Sequence, residues 1–234
     1  MSFPDLGTLP NPLTIQWQQN TTSCADAFTN IPGANGTSYD PGALTETTYF
    51  RVRSTNSGGC SSGTCESFSN CVAVTVNPLP IVDAGDYGPV CLDAAPINLI
   101  GTPTGGTFSG TGVTANVFNP ANAGAGSFDI TYSFTDGNGC TNTEITTIVV
   151  NPLPVLDAGD YGPVCLDAAP INLIGTPAGG TFSGTGVTAN VFNPAVAGVG
   201  SFNITYSFTD SNGCTNSEIT TIVVNPLPVV DAGD

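Results

Sequence analysis

A 74-residue unit that occurs twice without a gap constrains this chain more than any other feature. The tetrapeptide Asn77-Pro-Leu-Pro recurs at 151 and at 225, and the two intervals are equal. Residues 77–150 and 151–224 differ at eight positions, and a third copy begins at 225. Such self-similarity indicates successive units of one fold. We therefore predict repeat domains over 77–150 and 151–224, the start of a further repeat over 225–234, and a molecule that continues beyond this chain.

The residues before the repeats form a different unit of the same structural class. Apolar residues alternate with polar ones over 13–17, and Phe50 and Val52 alternate with polar or charged neighbours. Alternation with a period of two indicates strands with one buried face. Immunoglobulin-like sandwiches usually have two strands before a tryptophan such as Trp17. We predict an Ig-like domain over 1–76 and expect it to be cut short at its N-terminus.

Each 74-residue copy has the pattern of an all-β domain. Phe128, Ile130, Tyr132 and Phe134 alternate with polar residues, and Asp136-Gly-Asn-Gly139 then supplies a turn before an apolar return strand. This arrangement predicts a β-hairpin. Turn residues recur every 8–12 residues and no helical period is visible, which favours a sandwich over alternating strands and helices. The predicted fold is all-β: tandem Ig-like β-sandwich domains arranged as a linear rod.

The cysteines indicate disulfide bonds. The chain has eight of them, no Cys-x-x-Cys pair and no histidine. These features favour disulfides over a zinc site, and disulfides in turn indicate an extracellular location. Each copy has two cysteines, and we predict one bond within each copy; the alternative is a pair of buried thiols. Those cysteines are Cys91 and Cys140 in the first copy, and Cys165 and Cys214 in the second. The first unit has Cys24, Cys60, Cys65 and Cys71. Four cysteines allow three pairings, and the sequence does not select one.

The junctions between units are rich in proline. Pro78 and Pro80 precede the first copy's strands, and Pro152 and Pro154 occupy the same places in the second. Proline fixes its own φ and restricts the preceding residue to extended geometry. Such a junction is stiffer than a Gly/Ser tether. We therefore predict that successive domains line up.

Two repeated aspartate pairs are candidate calcium ligands. They follow each junction at Asp83 and Asp86 and again at Asp157 and Asp160. Calcium requires several oxygen ligands, which such pairs can supply. The alternative is a turn in which aspartate side chains accept hydrogen bonds from nearby backbone N–H groups. We predict no other cofactor.

Composition excludes several classes of function. The chain carries 18 acidic residues, two arginines, no lysine and no histidine, which gives a formal net charge of −16. Binding to nucleic acid or to anionic lipid headgroups needs cations that this chain lacks. Without histidine or lysine, its serines and threonines have no obvious activating base, so we predict that it is not an enzyme. No apolar run approaches the length of a membrane helix, so we predict no membrane insertion.

The motifs of the copies, taken together, resemble a known class of repeats. In the first copy they are Pro89-Val-Cys91, Gly105–Val113, Val117–Pro120, Ala123-Gly124, Ile130-Thr-Tyr132 and Asp136–Thr141. These residues resemble the tandem Ig-like or PKD-like repeats of giant surface proteins of Bacteroidota. The first unit is similar to a neighbouring Ig-like type through Ile31–Ala34, Tyr39-Asp-Pro41, Leu44–Tyr49 and Ser69–Val72.

The resemblance implies an extracellular filament on the bacterial cell surface. Members of this group include adhesins used in gliding and attachment, which are exported by the type IX route. The resemblance implies no catalytic residues in this chain. Our hypothesis is a structural stalk segment of a long adhesin, whose partners are further repeats and, through a region outside this chain, surface polysaccharide or other cells. The alternatives are a self-assembling fibre or sheath subunit, and a polysaccharide-binding or cell-binding module with Trp17 and Tyr49 as candidate aromatic contacts.

Overall fold

A computed structural model describes residues 14–56 and 65–230. The chain divides into two compact units by proximity of Cα atoms. One unit holds the residues up to Pro80 together with Thr135–Thr141, and the other holds Ile81–Phe134 and the residues from Asn142 onward. The cores of both 74-residue copies lie in the second unit.

The first unit is an antiparallel sheet around a tryptophan. Its strands are β1 (Thr14–Asn20), β2 (Thr29–Asn30), β3 (Thr48–Asn56), β4 (Cys65–Phe68) and β5 (Val72–Val74). They follow the order β2-β1-β3-β4, and β5 also pairs with β3. The buried side chains are Trp17, Ile31, Ala34, Phe50 and Val52. The predicted alternation over 49–53 is therefore confirmed, because Phe50 and Val52 are buried and their neighbours are not.

Both copies have the same strands at equivalent positions of the repeat. The first copy contains β6 (Pro89–Cys91), β7 (Ile97–Asn98), β8 (Thr107–Ser109), β9 (Val113–Thr114), β10 (Val117–Phe118), α1 (Pro120–Ala123), β11 (Gly126–Thr135) and β12 (Thr141–Asn151). The second contains β13 (Pro163–Cys165), β14 (Ile171–Asn172), β15 (Thr181–Ser183), β16 (Val187–Thr188), β17 (Val191–Phe192), α2 (Pro194–Ala197), β18 (Gly200–Thr209) and β19 (Thr215–Asn225).

In each copy two sheets enclose one core. The larger sheet has the order β6-β12-β11-β8 and the smaller β7-β10-β9, and the second copy repeats both. The first core consists of Ala84, Leu99, Phe108, Phe118, Ile130, Tyr132, Ile148 and Val150. The equivalent residues form a separate core in the second copy. The all-β sandwich class predicted from alternation is thus confirmed.

The long hairpin of the larger sheet follows the predicted pattern. Ile130 and Tyr132 are fully buried, and Phe128 and Phe134 pack against the same core. The turn between β11 and β12 is closed by the backbone N–H of Asp136, which donates to the Cys140 carbonyl at 2.9 Å. The one-turn helices α1 and α2 were not predicted. An asparagine caps each and a proline occupies the first turn, so α1 and α2 are too short to show a helical period.

The pairing of the first strand with the last decides where the cysteines lie. β6 runs parallel to β12, and Cys91 lies opposite Asn151 at the far end of β12. β13 runs parallel to β19 in the same way, and Cys165 lies opposite Asn225. The first strand of each copy therefore ends beside the start of the next junction.

Candidate functional site at the junction of the two copies

The junction begins where the first copy ends. Asn151 is the last residue of β12, and its carbonyl accepts a hydrogen bond from the backbone N–H of Leu92 at 2.9 Å. Since Leu92 directly follows Cys91, this bond holds the cysteine at the edge of the first copy. Pro152 and Pro154 follow within three residues, in a stretch without regular secondary structure.

After the prolines the chain runs beside the last strand of the second copy. The Asn216 side-chain amide donates to the Pro154 carbonyl at 2.9 Å, and the backbone N–H of Ala158 donates to the Glu218 carboxylate at 2.8 Å. The Thr220 hydroxyl donates to the Gly159 carbonyl at 2.7 Å. These contacts place the start of β19, and Cys214 immediately before it, next to the junction.

A disulfide bond crosses the junction. Cys91 of the first copy is bonded to Cys214 of the second, with their Cα atoms 5.5 Å apart. The Cys214 side chain has no exposed surface. The bond closes a loop over a sequence separation of 123 residues that includes most of both copies. It joins two separately packed cores covalently.

The predicted pairing of cysteines within each copy is wrong. Cys140 precedes β12, whereas Cys91 lies beside the last residue of that strand. Eleven residues of strand separate the two positions, or about 36 Å at the usual rise of a β-strand. A disulfide requires Cα atoms within about 7 Å of each other. The same geometry separates Cys165 from Cys214, and both Cys140 and Cys165 are free thiols.

The first unit has its own disulfide. Cys24 is bonded to Cys71, with Cα atoms 5.7 Å apart. Cys65 is also disulfide-bonded, whereas Cys60 lies outside the described residues. Of the three pairings that the sequence left open, the structure thus selects the one that joins Cys24 to Cys71.

The candidate calcium ligands are engaged in turns. Asp83 accepts a hydrogen bond from the backbone N–H of Gly85 at 2.8 Å, and Asp86 accepts one from Gly88 at 3.0 Å. Asp157 and Asp160 make the same contacts in the second copy. Within residues 14–56 and 65–230, no three His, Cys, Asp or Glu side chains are grouped so that they can hold a metal ion. The arrangement matches the turn alternative, and we propose no calcium site.

Of the two aromatic candidates for glycan contact, Trp17 belongs to the core of the first unit. Trp17 is 1% exposed, and its indole N–H donates to the Gly36 carbonyl at 2.9 Å. Tyr49 is half-buried on β3. A cavity of about 440 Å³ in this unit is lined by the polar side chains of Gln16, Asn30 and Arg53 among others. Neither Trp17 nor Tyr49 is among its lining residues.

Sequence reasoning missed the contacts that define the junction. In the sequence, nothing distinguishes Asn216, Glu218 and Thr220 from other polar residues of a strand. Their hydrogen-bond partners are backbone groups about 60 residues earlier in the chain. One signal was available for the cysteines. The apolar return strand that follows Cys140 is long, so Cys140 at its start lies far from the end of the copy.

In the part of the chain that the structure describes, no helix is long and apolar enough to cross a membrane.

Comparison with known families gives one match. Residues 5–78 match the model of a family described as a domain of unknown function, DUF8696. The comparison with curated proteins gives no match.

Several solved structures have a distant likeness to this chain. A 1.5-MDa bacterial ice-binding adhesin is 13% identical with a TM-score of 0.35, and the match covers 92% of this chain and 88% of that one. N-cadherin EC1–4 of Drosophila is 12% identical with a TM-score of 0.31, covering 92% and 67%. The mixed-linkage glucan utilization protein SGBP-B of Bacteroides ovatus is 18% identical with a TM-score of 0.23, covering 60% of this chain. The match spans 43% of the Bacteroides ovatus chain.

Proposed function

We propose that this chain is a stalk segment of a long extracellular bacterial adhesin or surface filament, which projects a distal binding region from the cell. The observation that carries the proposal is the Cys91–Cys214 bond across the junction. A covalent link between two separately packed cores restrains how one copy moves against the next. Such a restraint suits a stalk that transmits force from one copy to the next.

The remaining features of the junction support the same function. Pro152 and Pro154 restrict the backbone, and Asn216 fixes the Pro154 carbonyl to the second copy. We propose that 77–150 and 151–224 are successive domains of a linear rod, after an Ig-like domain over 1–76. In repeat proteins each unit contacts its neighbours alone, so every added copy extends the molecule.

Composition suits an exposed surface location. No lysine or arginine follows Arg53, so trypsin has no cleavage site in either copy. A net charge of −16 discourages neighbouring chains from associating. We propose export to the cell surface of a bacterium of the Bacteroidota by the type IX route, with a role in attachment or gliding. The partners are further repeats of the same polypeptide and, through another region, surface polysaccharide or other cells.

Small-angle X-ray scattering of the full chain tests the stalk function. We expect an elongated particle with a narrow distribution of interdomain distances. Cys214→Ser is expected to broaden that distribution, because the copies are then joined by the peptide chain and hydrogen bonds alone. Cys165→Ser removes a free thiol and is the matched control, with scattering unchanged. A compact particle, or two copies that are equally mobile with and without the bond, would contradict the proposal.

The outer face of the larger sheet favours a second candidate, a self-assembling fibre subunit. Ile145 and Ile219 are each 61% exposed at equivalent positions of β12 and β19, and Val149 and Val223 are exposed further along the same strands. Apolar side chains repeated on an exposed sheet face suit contacts between chains lying side by side. Analytical ultracentrifugation over a range of concentrations distinguishes the two functions. A stalk stays monomeric, whereas a fibre subunit assembles, and Ile145→Thr with Ile219→Thr would abolish that assembly.

A further inference from the structure

Cys165 occupies the same position in the second copy as Cys91 does in the first. Cys91 lies opposite Asn151, and Cys165 lies opposite Asn225. The following backbone N–H groups make the same bond, from Leu92 to Asn151 at 2.9 Å and from Leu166 to Asn225 at 3.0 Å. Cys91 is bonded to a cysteine across the next junction, and Cys165 is an exposed free thiol.

The residues after Cys165 also repeat those after Cys91. The segment that begins at Asn225 has the same Asn-Pro-Leu-Pro and Asp-Ala-Gly-Asp as those at 77 and 151. In the first copy, where a complete copy follows, the cysteine at this position forms a disulfide with the cysteine that precedes the last strand of the following copy.

We propose that Cys165 forms a disulfide with the cysteine at the Cys214 position of a following copy of the repeat, so that one such bond links each pair of neighbouring copies. The two thiols lose two protons and two electrons as the S–S bond forms. A disulfide oxidant, R–S–S–R, takes up both and leaves as two R–SH molecules. This inference deepens the proposed stalk function and rests on it for its biological meaning.

The consequence is a series of overlapping covalent loops. Cys165 lies inside the loop that Cys91–Cys214 closes, and Cys214 would lie inside the loop that Cys165 closes. A single peptide bond cut within either loop then leaves the two fragments joined through sulfur. Tension along the stalk likewise passes from one copy to the next through the disulfide, so most residues of each loop carry no load.

The same rule leaves Cys140 as a free thiol. Cys140 is the first copy's counterpart of Cys214, and the position at the same separation before it, 123 residues, is Trp17 and not a cysteine. Cys140 therefore serves as an internal competitor in a test, because it is free in this chain and takes no part in the proposed link.

The test begins with the full chain as it exists. It is refolded with reduced and oxidised glutathione, denatured, alkylated with iodoacetamide and mapped by mass spectrometry after peptic digestion, since trypsin does not cut the copies. Cys140 and Cys165 are expected to be alkylated, and Cys91 and Cys214 to be recovered as a linked pair. Alkylation of Cys91 or Cys214 would overturn the geometry on which the proposal stands.

The second arm extends the full chain beyond Asp234 with the sequence of 161–224, which completes a third copy. The cysteine at the Cys165 position of the added copy is replaced by serine, so the addition brings one cysteine. We expect Cys165 to be linked to it, Cys140 to remain the one alkylated cysteine of 77–234, and Cys91–Cys214 to persist. In the matched variant Cys165→Ser, the added cysteine is expected to be alkylated.

Three results would overturn the proposal: an added cysteine linked to Cys91 or Cys140, a free Cys165 beside a free added cysteine, and loss of Cys91–Cys214 in the same digest. Scattering and bond mapping are separate measurements. Absence of the Cys165 link in an elongated, restrained chain would refute the series of bonds and leave the stalk function standing. A mobile chain that forms both bonds would refute the stalk function alone.

Discussion

At the residue scale, Tyr132 shows how closely the fold of each copy depends on glycine. Its hydroxyl donates to the Pro103 carbonyl and accepts a hydrogen bond from the backbone N–H of Gly106 at 3.0 Å. The ring lies so near the backbone that a Cβ on Gly106 would meet its Cζ at 2.4 Å and the Ser133 carbonyl at 2.5 Å. Cβ atoms do not approach other atoms so closely, so the glycine is needed for space.

We predict that Gly106→Ala destabilises the first copy. Overpacking a well-filled core typically costs about 1–3 kcal/mol. Urea denaturation followed by far-UV circular dichroism measures the free energy of unfolding. Gly137→Ser is the matched control, because a Cβ there meets nothing within 4 Å and the second copy already has Ser211. Equal stability of the two variants would show that the ring moves aside freely.

Asp136 orders the hairpin turn through its carboxylate. The backbone N–H groups of Cys140 and Asn138 each donate to its Oδ1 at 2.9 Å. These hydrogen bonds hold the pKa of Asp136 below its ordinary value of 3.8, and the bond from Cys140 has the largest effect. The ionised form is therefore favoured by folding. The stabilisation is complete above the unfolded-state pKa and is lost as the pH falls through the lower folded-state pKa.

We predict an Asp136 carboxyl titration with a midpoint below 3.8, measured by carbon-detected NMR of the full chain. Chemical shifts of the Cys140 amide should change over the same pH range, because that N–H loses its acceptor charge. Asp136→Asn identifies the signal and removes the transition. A midpoint at or above the ordinary value would contradict the hydrogen-bonded turn.

At the scale of elements, the pairing of the first strand with the last governs the covalent structure. β6 runs parallel to the end of β12, and that end leads directly into the junction. The same hairpin in the second copy brings Cys214 to the other side of the junction. A bond between copies follows from strand direction and strand length together.

We predict that Cys214→Ser destabilises the pair of copies and that Cys140→Ser does not. Closing a loop of this length lowers the entropy of the unfolded chain, which the loop-closure model values at about 5 kcal/mol for concerted unfolding of the loop. Differential scanning calorimetry of both variants, with and without reductant, measures the difference. Reductant opens Cys24–Cys71 of the first unit in every sample, so the melting of the copies is compared. Reductant should lower the melting temperature of the copies in Cys140→Ser and leave that of the copies in Cys214→Ser unchanged. Identical melting of the copies in all samples would show that Cys91–Cys214 contributes no stability.

At the scale of the whole molecule, the bond limits how far the chain extends under force. The loop spans 123 residues, which can lengthen only after the disulfide is broken. We predict that reduction lengthens a fully unfolded chain in separate steps, about 430 Å from the loop of Cys91–Cys214 and about 165 Å from the loop of Cys24–Cys71, at roughly 3.5 Å per residue. Single-molecule force spectroscopy of the full chain, held at its two ends, measures the increment. Cys165→Ser should behave as the unmodified chain, and Cys24→Ser removes the shorter step. In Cys24→Ser, a step of about 170 Å in place of the 430 Å step, matching the interval from Cys91 to Cys140, would instead indicate a bond within one copy.

Much of this protein follows from the sequence by itself. The 74-residue period defines the two equivalent units, alternation of apolar residues identifies β11 and its buried face, and the glycine-rich turn after Asp136 places the hairpin. The prolines mark the junctions. Apart from the 74-residue period, which follows from comparing the chain with itself, these features are local, since each depends on residues a few positions apart whose alternation or backbone preference is intrinsic.

The tertiary structure alone decided the cysteine pairing and, with it, the candidate site. Cys91 and Cys140 share a copy and are its only cysteines, yet they lie at opposite ends of an eleven-residue strand. Cys91 and Cys214 belong to different copies and are adjacent in space. The short turn after Asp136 predicts that β11 pairs with β12, but no such local signal shows that β6 pairs with β12 or that the two run parallel. Hydrogen bonding between β6 and β12, the first and last strands of the copy, sets that direction, and the short junction then brings the two sulfurs together.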